Sequence, residues 1–490
     1  MKTAKYPSIY EINTRVWIKQ FGENASLKSI PNNYWHTLKQ KGIDLVWLMG
    51  IWSVNKESIS KYCFDEGLVY EYKKALKDFK NEDVIGSPYA IEEYEIEPVL
   101  GNREDVLKLK EELNQIGIGL ILDFIPNHFN ALSKIIRENP EIFLIANHEF
   151  HLSNPYTFFK PLENELIIAH GRDPFYPAWQ DTAQVNYFSE SARAFMISQL
   201  ESISELCDGV RCDMAMLALN NIFKNTWASV IESGNYQFPQ DEFWQRAISK
   251  IKENKNDFIF IAEAYWDLEW KLQQLGFDFT YDKELLDRIR SAKAIDIKGH
   301  LTAEDDYQDK SLRFIENHDE PRSLTVLGKD KVIAASIIYT TVKGMKFFND
   351  GQFEGKKIKL PVQLGRIPIE KPCEQIVIHY KSLMQIISAD IFKNGEWNLL
   401  EPLSSWEGNY TFENILAWHW NYKNENRLVV INYSDKISAC RIKLDLTGYN
   451  SEFELIDLLN QKTYVRSSEE IHHQGLYIEL KAYKSHIFSY

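Results

Sequence analysis

Over the first three quarters of this 490-residue chain, short continuous apolar runs alternate with longer amphipathic stretches, and that alternation restricts the fold more than any other feature. Eight runs stand out, at residues 10–17, 44–52, 117–124, 208–212, 258–263, 277–281, 312–316 and 345–348. A strand with one wet face alternates apolar and polar residues, whereas most of these runs are continuously apolar, as parallel strands buried on both faces require. Helical patterns lie between them. Residues 104–115 lead into the third run, and Ala192, Phe195, Met196, Leu200, Ile203 and Leu206 recur at three- and four-residue spacing before the fourth. The pattern predicts an α/β fold, a (β/α)8 TIM barrel over residues 1–128 and 187–384, with functional side chains at the C-terminal ends of the strands. A doubly wound sheet would not gather so many strand ends on one rim.

Two segments break the alternation. Between His128 and Ser191 the chain runs about sixty residues, far beyond an ordinary barrel connection. Rich in aromatics (Phe143, Phe150, Tyr156, Phe158, Phe159, Phe175, Tyr176, Trp179), it predicts a short inserted lobe after the third strand, residues 129–186, with a wall that faces substrate. Beyond residue 385 the period changes to two, at 427–433, at Ile442, Leu444 and Leu446, and at Leu476, Ile478, Leu480 and Ala482, with turn residues such as Thr447-Gly448 between. Residues 385–490 therefore predict a C-terminal antiparallel β-sandwich domain.

Charge and cysteine usage narrow the function. With 56 basic against 70 acidic residues the net charge is −14, and no basic stripe is available to neutralise phosphates, so neither nucleic acid nor an anionic membrane is an expected partner. A neutral carbohydrate is compatible with that balance. Cys63, Cys207, Cys212, Cys373 and Cys440 are scattered without metal spacing and read as reduced thiols. No signal-like apolar stretch and no membrane-length run is present, which makes the cytoplasm the expected location. His148, His151 and His170 also lack metal-ligand spacing and read as structural. No oligomeric state is legible in the pattern.

The polar residues at three strand ends carry the chemistry: Asp208-Gly-Val-Arg-Cys-Asp213, Phe260-Ile-Ala-Glu263 and Phe314-Ile-Glu-Asn-His-Asp319. On a barrel rim these would converge, placing three carboxylates beside an arginine and a histidine. Retaining glycoside hydrolysis needs one carboxylate as nucleophile and one carboxylic acid as proton donor. Arg211, two residues before Asp213 on the same strand face, is placed to hold that carboxylate ionised. Glu263 follows an apolar run that favours its protonated form, as a general acid requires. Asp319 is then left to stabilise an oxocarbenium-like transition state, with His318 on a sugar hydroxyl. Each residue alone is more simply read as a structural ion pair; their convergence favours catalysis.

On these residues the chain resembles the α-amylase family of retaining glycosidases and transglycosidases. The segments Asp123-Phe-Ile-Pro-Asn-His128, Gly209-Val-Arg-Cys-Asp213, Ile261-Ala-Glu263 and Glu316-Asn-His-Asp319 match the family's four signatures in order. The resemblance implies Asp213 as nucleophile, Glu263 as acid/base and Asp319 as transition-state stabiliser. It places Arg211, His128 and His318 at the catalytic subsite and Tyr89, in Gly86-Ser-Pro-Tyr89, as its aromatic platform. Trp179 and Trp266 are the tryptophans expected to touch substrate. Arg172 with Asp173 is expected to tie the lobe to the barrel as an ion pair, and Arg322 to serve structure.

Departures from the family bear on substrate. Met214-Ala-Met-Leu217 stands where many amylases carry a Lys-His pair, and Ala90 follows Tyr89 where several exo-acting glucosidases place Asp. Gln184, in Thr182-Ala-Gln-Val-Asn186, replaces an aspartate that often binds calcium, so neither metal nor cofactor is expected. The expected function is retaining hydrolysis of α-glucosidic bonds in glucans or oligosaccharides. Transglycosylation or phosphorolysis by the same residues is the alternative, because both share the first half-reaction. A non-catalytic sugar-binding scaffold would show erosion of the carboxylate trio, and all three acids are in place.

Overall fold

A computed structural model describes residues 4–161, 166–291, 293–445 and 451–490. Eight strands close into a barrel: β1 (Ser8–Asn13), β2 (Leu45–Met49), β3 (Gly119–Phe124), β4 (Gly209–Cys212), β5 (Ile259–Ala262), β6 (Phe279–Tyr281), β7 (Ser311–Arg313) and β8 (Met345–Asn349). All neighbours are parallel, and the closing contact is β1 against β8. Each expected run contributes one strand. β2, β3 and β4 are buried at every residue, as their unbroken apolar character requires. Gly209 opens β4 because a Cβ there would lie 2.5 Å from the carbonyl oxygen of Ile259 on β5.

Two runs are shorter than their apolar content suggests. The first strand ends at Asn13, and Thr14–Trp17 turns into a helix. That turn buries Arg15, which donates to the carbonyls of Ile85, Gly86 and Val362. The second ends at Met49, where Gly50 takes a left-handed φ of 77° and Trp52 starts a separate strand. The helix Arg103–Gln115 buries Val106, Leu109 and Leu113 against the barrel. Its N-terminus is fixed by a capping box in which the Asn102 side chain accepts from the Asp105 amide and Asp105 accepts from the Asn102 amide.

Two insertions stand over the C-terminal rim. The expected lobe pairs His128–Asn130 with Thr182–Gln184 and carries a small antiparallel sheet of Ile145–Ala146, Ile167–Ala169 and Phe158–Phe159. The other, after β2, is not apparent from the sequence pattern. Its helices Lys56–Tyr62 and Glu66–Ala75 sit between paired strands Trp52–Val54 and Ile91–Ile96, over a small core of Cys63, Tyr72, Ala75, Leu76, Val84 and Leu364. Short helices with few apolar positions leave too weak a period to read.

The helix Glu374–Ile387 runs through residue 385, and the terminal sheet begins at Glu396. Six antiparallel strands (Glu396–Leu400, Ile415–Tyr422, Glu425–Asn432, Ser485–Ser489, Glu452–Asp457 and Lys462–Ser467, in sheet order) face a two-stranded ribbon of Ser438–Ile442 and Leu476–Leu480. Leu428, Val430, Cys440, Ile442, Leu455 and Ile478 form the core between them. Leu446, Thr447 and Gly448 lie outside the described residues. On the opposite face of the larger sheet the indole nitrogens of Trp418 and Trp420 donate to Thr341, the former to its hydroxyl and the latter to its carbonyl. Thr341 ends the helix Ser323–Thr341, and Tyr433 donates to the carbonyl of Ile289 nearby.

Candidate active site

The site is built from strand register. Arg211 pairs with Asp123 across β4–β3, while Cys212 pairs with Ala262 across β4–β5. Asp213 and Glu263 therefore leave their strands at the same height, side by side on the rim. The Asp213 amide donates to Phe124 O and the Glu263 amide to Cys212 O, so strand hydrogen bonds fix both backbones.

One guanidinium organises the carboxylates. Arg211, 1% exposed, donates from Nη1 to Asp213 Oδ1 at 2.7 Å and pairs through Nη2 with Glu263 Oε2 at 2.7 Å. Its Nη1 also lies 3.5 Å from Asp123 Oδ1, and its Nε donates to the Tyr281 hydroxyl. Trp47 and Tyr89 present ring faces to it at 5.1 and 5.3 Å. Three carboxylates around one cation cannot all ionise cheaply in a buried space. Burial pushes Glu263 up to about 7, against the pull of Arg211, and raises Asp213 as well. Asp123 rises to about 7 for the same reason.

The two oxygens of Glu263 differ. Oε2 accepts from the Met214 amide at 2.7 Å and lies in an ion pair with Arg211 Nη2, whereas Oε1 accepts from the Tyr265 hydroxyl at 2.9 Å. In the acid form the proton belongs on Oε1, the oxygen that faces neither the Met214 amide nor the Arg211 cation. Met214 adopts a left-handed φ of 41°, which aims its amide back at Glu263. The neighbouring Ala215, Met216 and Leu217 are buried.

Asp319 and His318 form the opposite wall. The His318 ring bridges Glu11 Oε1 through Nδ1 at 2.5 Å and Asp319 Oδ2 through Nε2 at 2.9 Å. Burial disfavours the imidazolium, but these two carboxylates outweigh it and hold His318 charged well above its ordinary range. Burial likewise lifts Asp319, and the His318 cation reverses the sign, keeping Asp319 ionised. The Asp319 side chain is 50% exposed, open to the cleft. Tyr89 stacks on His318 with centroids 5.3 Å apart and brings its hydroxyl to 2.9 Å from Nε2. His128 is neutral, its pKa lowered to about 4 by burial. Its Nδ1 accepts from the Asn127 amide group and its Nε2–H donates to the Tyr89 carbonyl, so it fixes the platform backbone.

A cleft of about 1360 Å³ joins these groups, lined by Tyr89, His128, Trp179, Asp213, Glu263 and Asp319 with residues of both insertions. Trp179 packs its ring on His128 at 5.4 Å. Trp266 does not line the cleft; it stands behind Phe175, and Tyr265 takes the position facing Glu263. Tyr62 and Phe64 from the helical insertion reach the cleft unannounced by any motif. Glu11 carried a signal, a lone acid in an apolar strand, and Tyr265 carried none. Arg172 and Asp173 do not serve as an ion pair between lobe and barrel. Arg172 donates to Thr226 O, and Asp173 accepts the amides of Phe175 and Tyr176. Arg322 is structural, bound to Glu316 and the Asp350 carbonyl. His170 stacks on Phe159 and donates to Thr182 O.

The junction of lobe and barrel does not fit a calcium ion. Gln184, wholly buried, donates through Nε2 to Asn127 O and Asn127 Oδ1, both at 2.9 Å, and to Val185 O at 3.0 Å. Oxygens that would ligate a hard cation are turned on an amide N–H instead.

A closed parallel barrel with an acidic trio around an arginine at its C-terminal rim, beneath an inserted lobe, defines a class of barrel enzymes. A family model described as alpha amylase, catalytic domain, matches residues 34–362. The chain belongs to the alpha-amylase family. Alpha-amylase 2 of Dictyoglomus thermophilum is 24% identical over 366 residues, which cover 71% of this chain and 58% of that protein. The chain thus spans under two thirds of that relative. The noncanonic maltogenic alpha-amylase AmyB from Thermotoga neapolitana shares its fold with TM-score 0.70 and 21% identity, over 99% of each chain. The trehalose-6-phosphate hydrolase of Bacillus licheniformis does so with TM-score 0.65 and 15% identity, again over 99% of each. One fold thus carries different substrates. Among the described residues no helix is long and apolar enough to cross a membrane.

Proposed function

We propose that this protein is a retaining glycosidase that hydrolyses α-glucosidic bonds of glucans or oligosaccharides. The reading rests on one observation: Arg211 grips Asp213 and Glu263 at 2.7 Å each, while burial pushes Glu263 up to about 7. A nucleophile held against a cation beside an acid that keeps its proton near neutrality is what double displacement needs. In the first step an Asp213 oxygen forms a bond to the anomeric carbon as the glycosidic C–O bond breaks. The departing oxygen takes the proton of Glu263. In the second, water gives a proton to the Glu263 carboxylate and its oxygen attacks the anomeric carbon, returning the ester electron pair to Asp213. Asp319, ionised and open to the cleft, offsets the positive charge that develops on the sugar. Tyr89 supplies the stacking face, and His318, its ring nitrogens held by Glu11 and Asp319, keeps Asp319 ionised beside the sugar. At the junction of lobe and barrel Gln184 makes the link an ion would make.

The test is anomeric NMR on maltooligosaccharides, isomaltose, trehalose and sucrose, each with and without phosphate. The α-anomer as first product supports the reading, and initial β-anomer overturns it. Sugar phosphate formed only with phosphate would reassign the protein as a phosphorylase.

A further inference from the structure

Two charges of opposite sign are buried in the wall of a second cavity, outside the catalytic cleft. It holds about 630 Å³, a volume typical of sites that take small molecules. Its wall is formed by the helical turns after β1, residues 23–25, both ends of the helical insertion and the segment that follows Ile91–Ile96. None of the residues lining it also lines the cleft. Most of the wall is apolar, with Ile18, Val84 and Leu100 buried around it.

Arg15, on this wall, is 5% exposed, and its Nη atoms donate only to main-chain carbonyls, those of Ile85, Gly86 and Val362. A guanidinium carries more donors than these. Its Nε is left buried without a partner. Glu97, also on the wall, is 7% exposed, and its Oε2 accepts from the Val54 amide at 3.2 Å. Among the described residues no carboxylate forms an ion pair with Arg15 and no cation forms one with Glu97. Burial lowers Arg15 to about 10, and Glu97 pulls the other way from beyond contact distance. The remaining charges on the wall do not answer these two. Lys19 lies 3.9 Å from Glu23, and Lys56 is exposed. A buried charge without a counter-charge is costly, and the cavity gives room for a molecule that brings one of each sign.

We propose that this cavity binds a small zwitterion with an apolar body, the chemistry of an apolar α-amino acid. The carboxylate meets Arg15, the ammonium meets Glu97, and the side chain lies against Ile18, Val84 and Leu100. A neutral sugar would leave both buried charges unanswered, and a simple anion or cation would leave one. The site is independent of the glycosidase reading, because it shares no residue with the cleft.

The test is isothermal titration calorimetry of the full chain with L-phenylalanine, with hydrocinnamate, which lacks the ammonium, and with phenethylamine, which lacks the carboxylate. Phenylalanine binds saturably, and each truncated analogue binds at least about tenfold more weakly. Ala25→Trp, at a half-buried position on the wall, fills the cavity and abolishes binding while the melting temperature holds. Glu97→Gln keeps an acceptor for the Val54 amide but removes the charge, so phenylalanine loses its advantage over hydrocinnamate. No binding of phenylalanine, or analogues that bind as tightly as phenylalanine, would overturn the proposal. So would an advantage over hydrocinnamate that survives Glu97→Gln, or binding that persists in Ala25→Trp.

Discussion

Replacing Tyr265 by Phe removes one hydroxyl from the site and nothing from its packing. That hydroxyl donates to Glu263 Oε1 at 2.9 Å when the carboxylate is ionised, and so favours the ionised form. A hydrogen bond to a charged group contributes about 1.5–3 kcal/mol, and a half-buried tyrosine lies at the low end. Part of this is recovered in the acid form, where the carboxyl can donate to the tyrosine oxygen, which leaves roughly 1.4 kcal/mol, or about one pKa unit. Without it Glu263 holds its proton more firmly. The general acid is active when protonated, so kcat/KM falls as pH rises through its pKa, which burial places at about 7. In Tyr265→Phe that alkaline limb moves upward, toward roughly pH 8, while the acid limb stays in place. The assay is the pH profile of kcat/KM on a maltooligosaccharide. An alkaline limb that stays put or moves to lower pH would refute the assignment of Glu263 as the acid, or of Tyr265 as its partner.

Asp213→Asn removes the nucleophile while keeping its shape. Turnover falls by orders of magnitude and thermal stability is held or raised, since a carboxyl already pushed up by burial is neutralised; unchanged turnover would remove Asp213 from the mechanism. Chelator leaves the wild-type melting temperature and activity unchanged, whereas Gln184→Asp turns a carboxylate on three oxygens and costs about 3 kcal/mol in urea titration, recovered by added calcium. Loss of activity in chelator alone would contradict the amide link. Gly209→Ala forces a methyl to within 2.5 Å of Ile259 O and costs at least about 2 kcal/mol by the same titration; a neutral result would mean that β4 and β5 are less closely apposed than described.

Much of this architecture is written in local pattern. Runs such as Leu45–Met49 and residues 119–122 carry no polar residue, and only a strand covered on both faces tolerates that. The acids at the strand ends were legible as a group, because three of them, with an arginine and a histidine, fall at strand ends that share one rim. What the sequence concealed depends on contacts between distant segments. Glu11 finds His318 across 307 positions, and only the closure of β1 on β8 brings them together. Tyr265 and Trp266 look interchangeable as neighbours, yet the left-handed turn at Trp266 sends one ring to Glu263 and the other to Phe175. The helical insertion after β2 went unread because its helices are short and their core is six residues. Gln184 showed that an aspartate was missing, and only the three oxygens around its amide show what replaced it.

The docking of the terminal sheet has a consequence for how the molecule comes apart. Trp418 and Trp420 both bind Thr341, and Thr341 stands four residues before β8, the strand that seals the barrel against β1. Pulling the sheet away strips bonds from the chain that enters the seam, and opening the seam frees the residue to which the sheet is moored. Barrel and sheet are therefore expected to melt in a single calorimetric transition, and a protein shortened by its last hundred residues to lose the latch of its barrel along with an appendage.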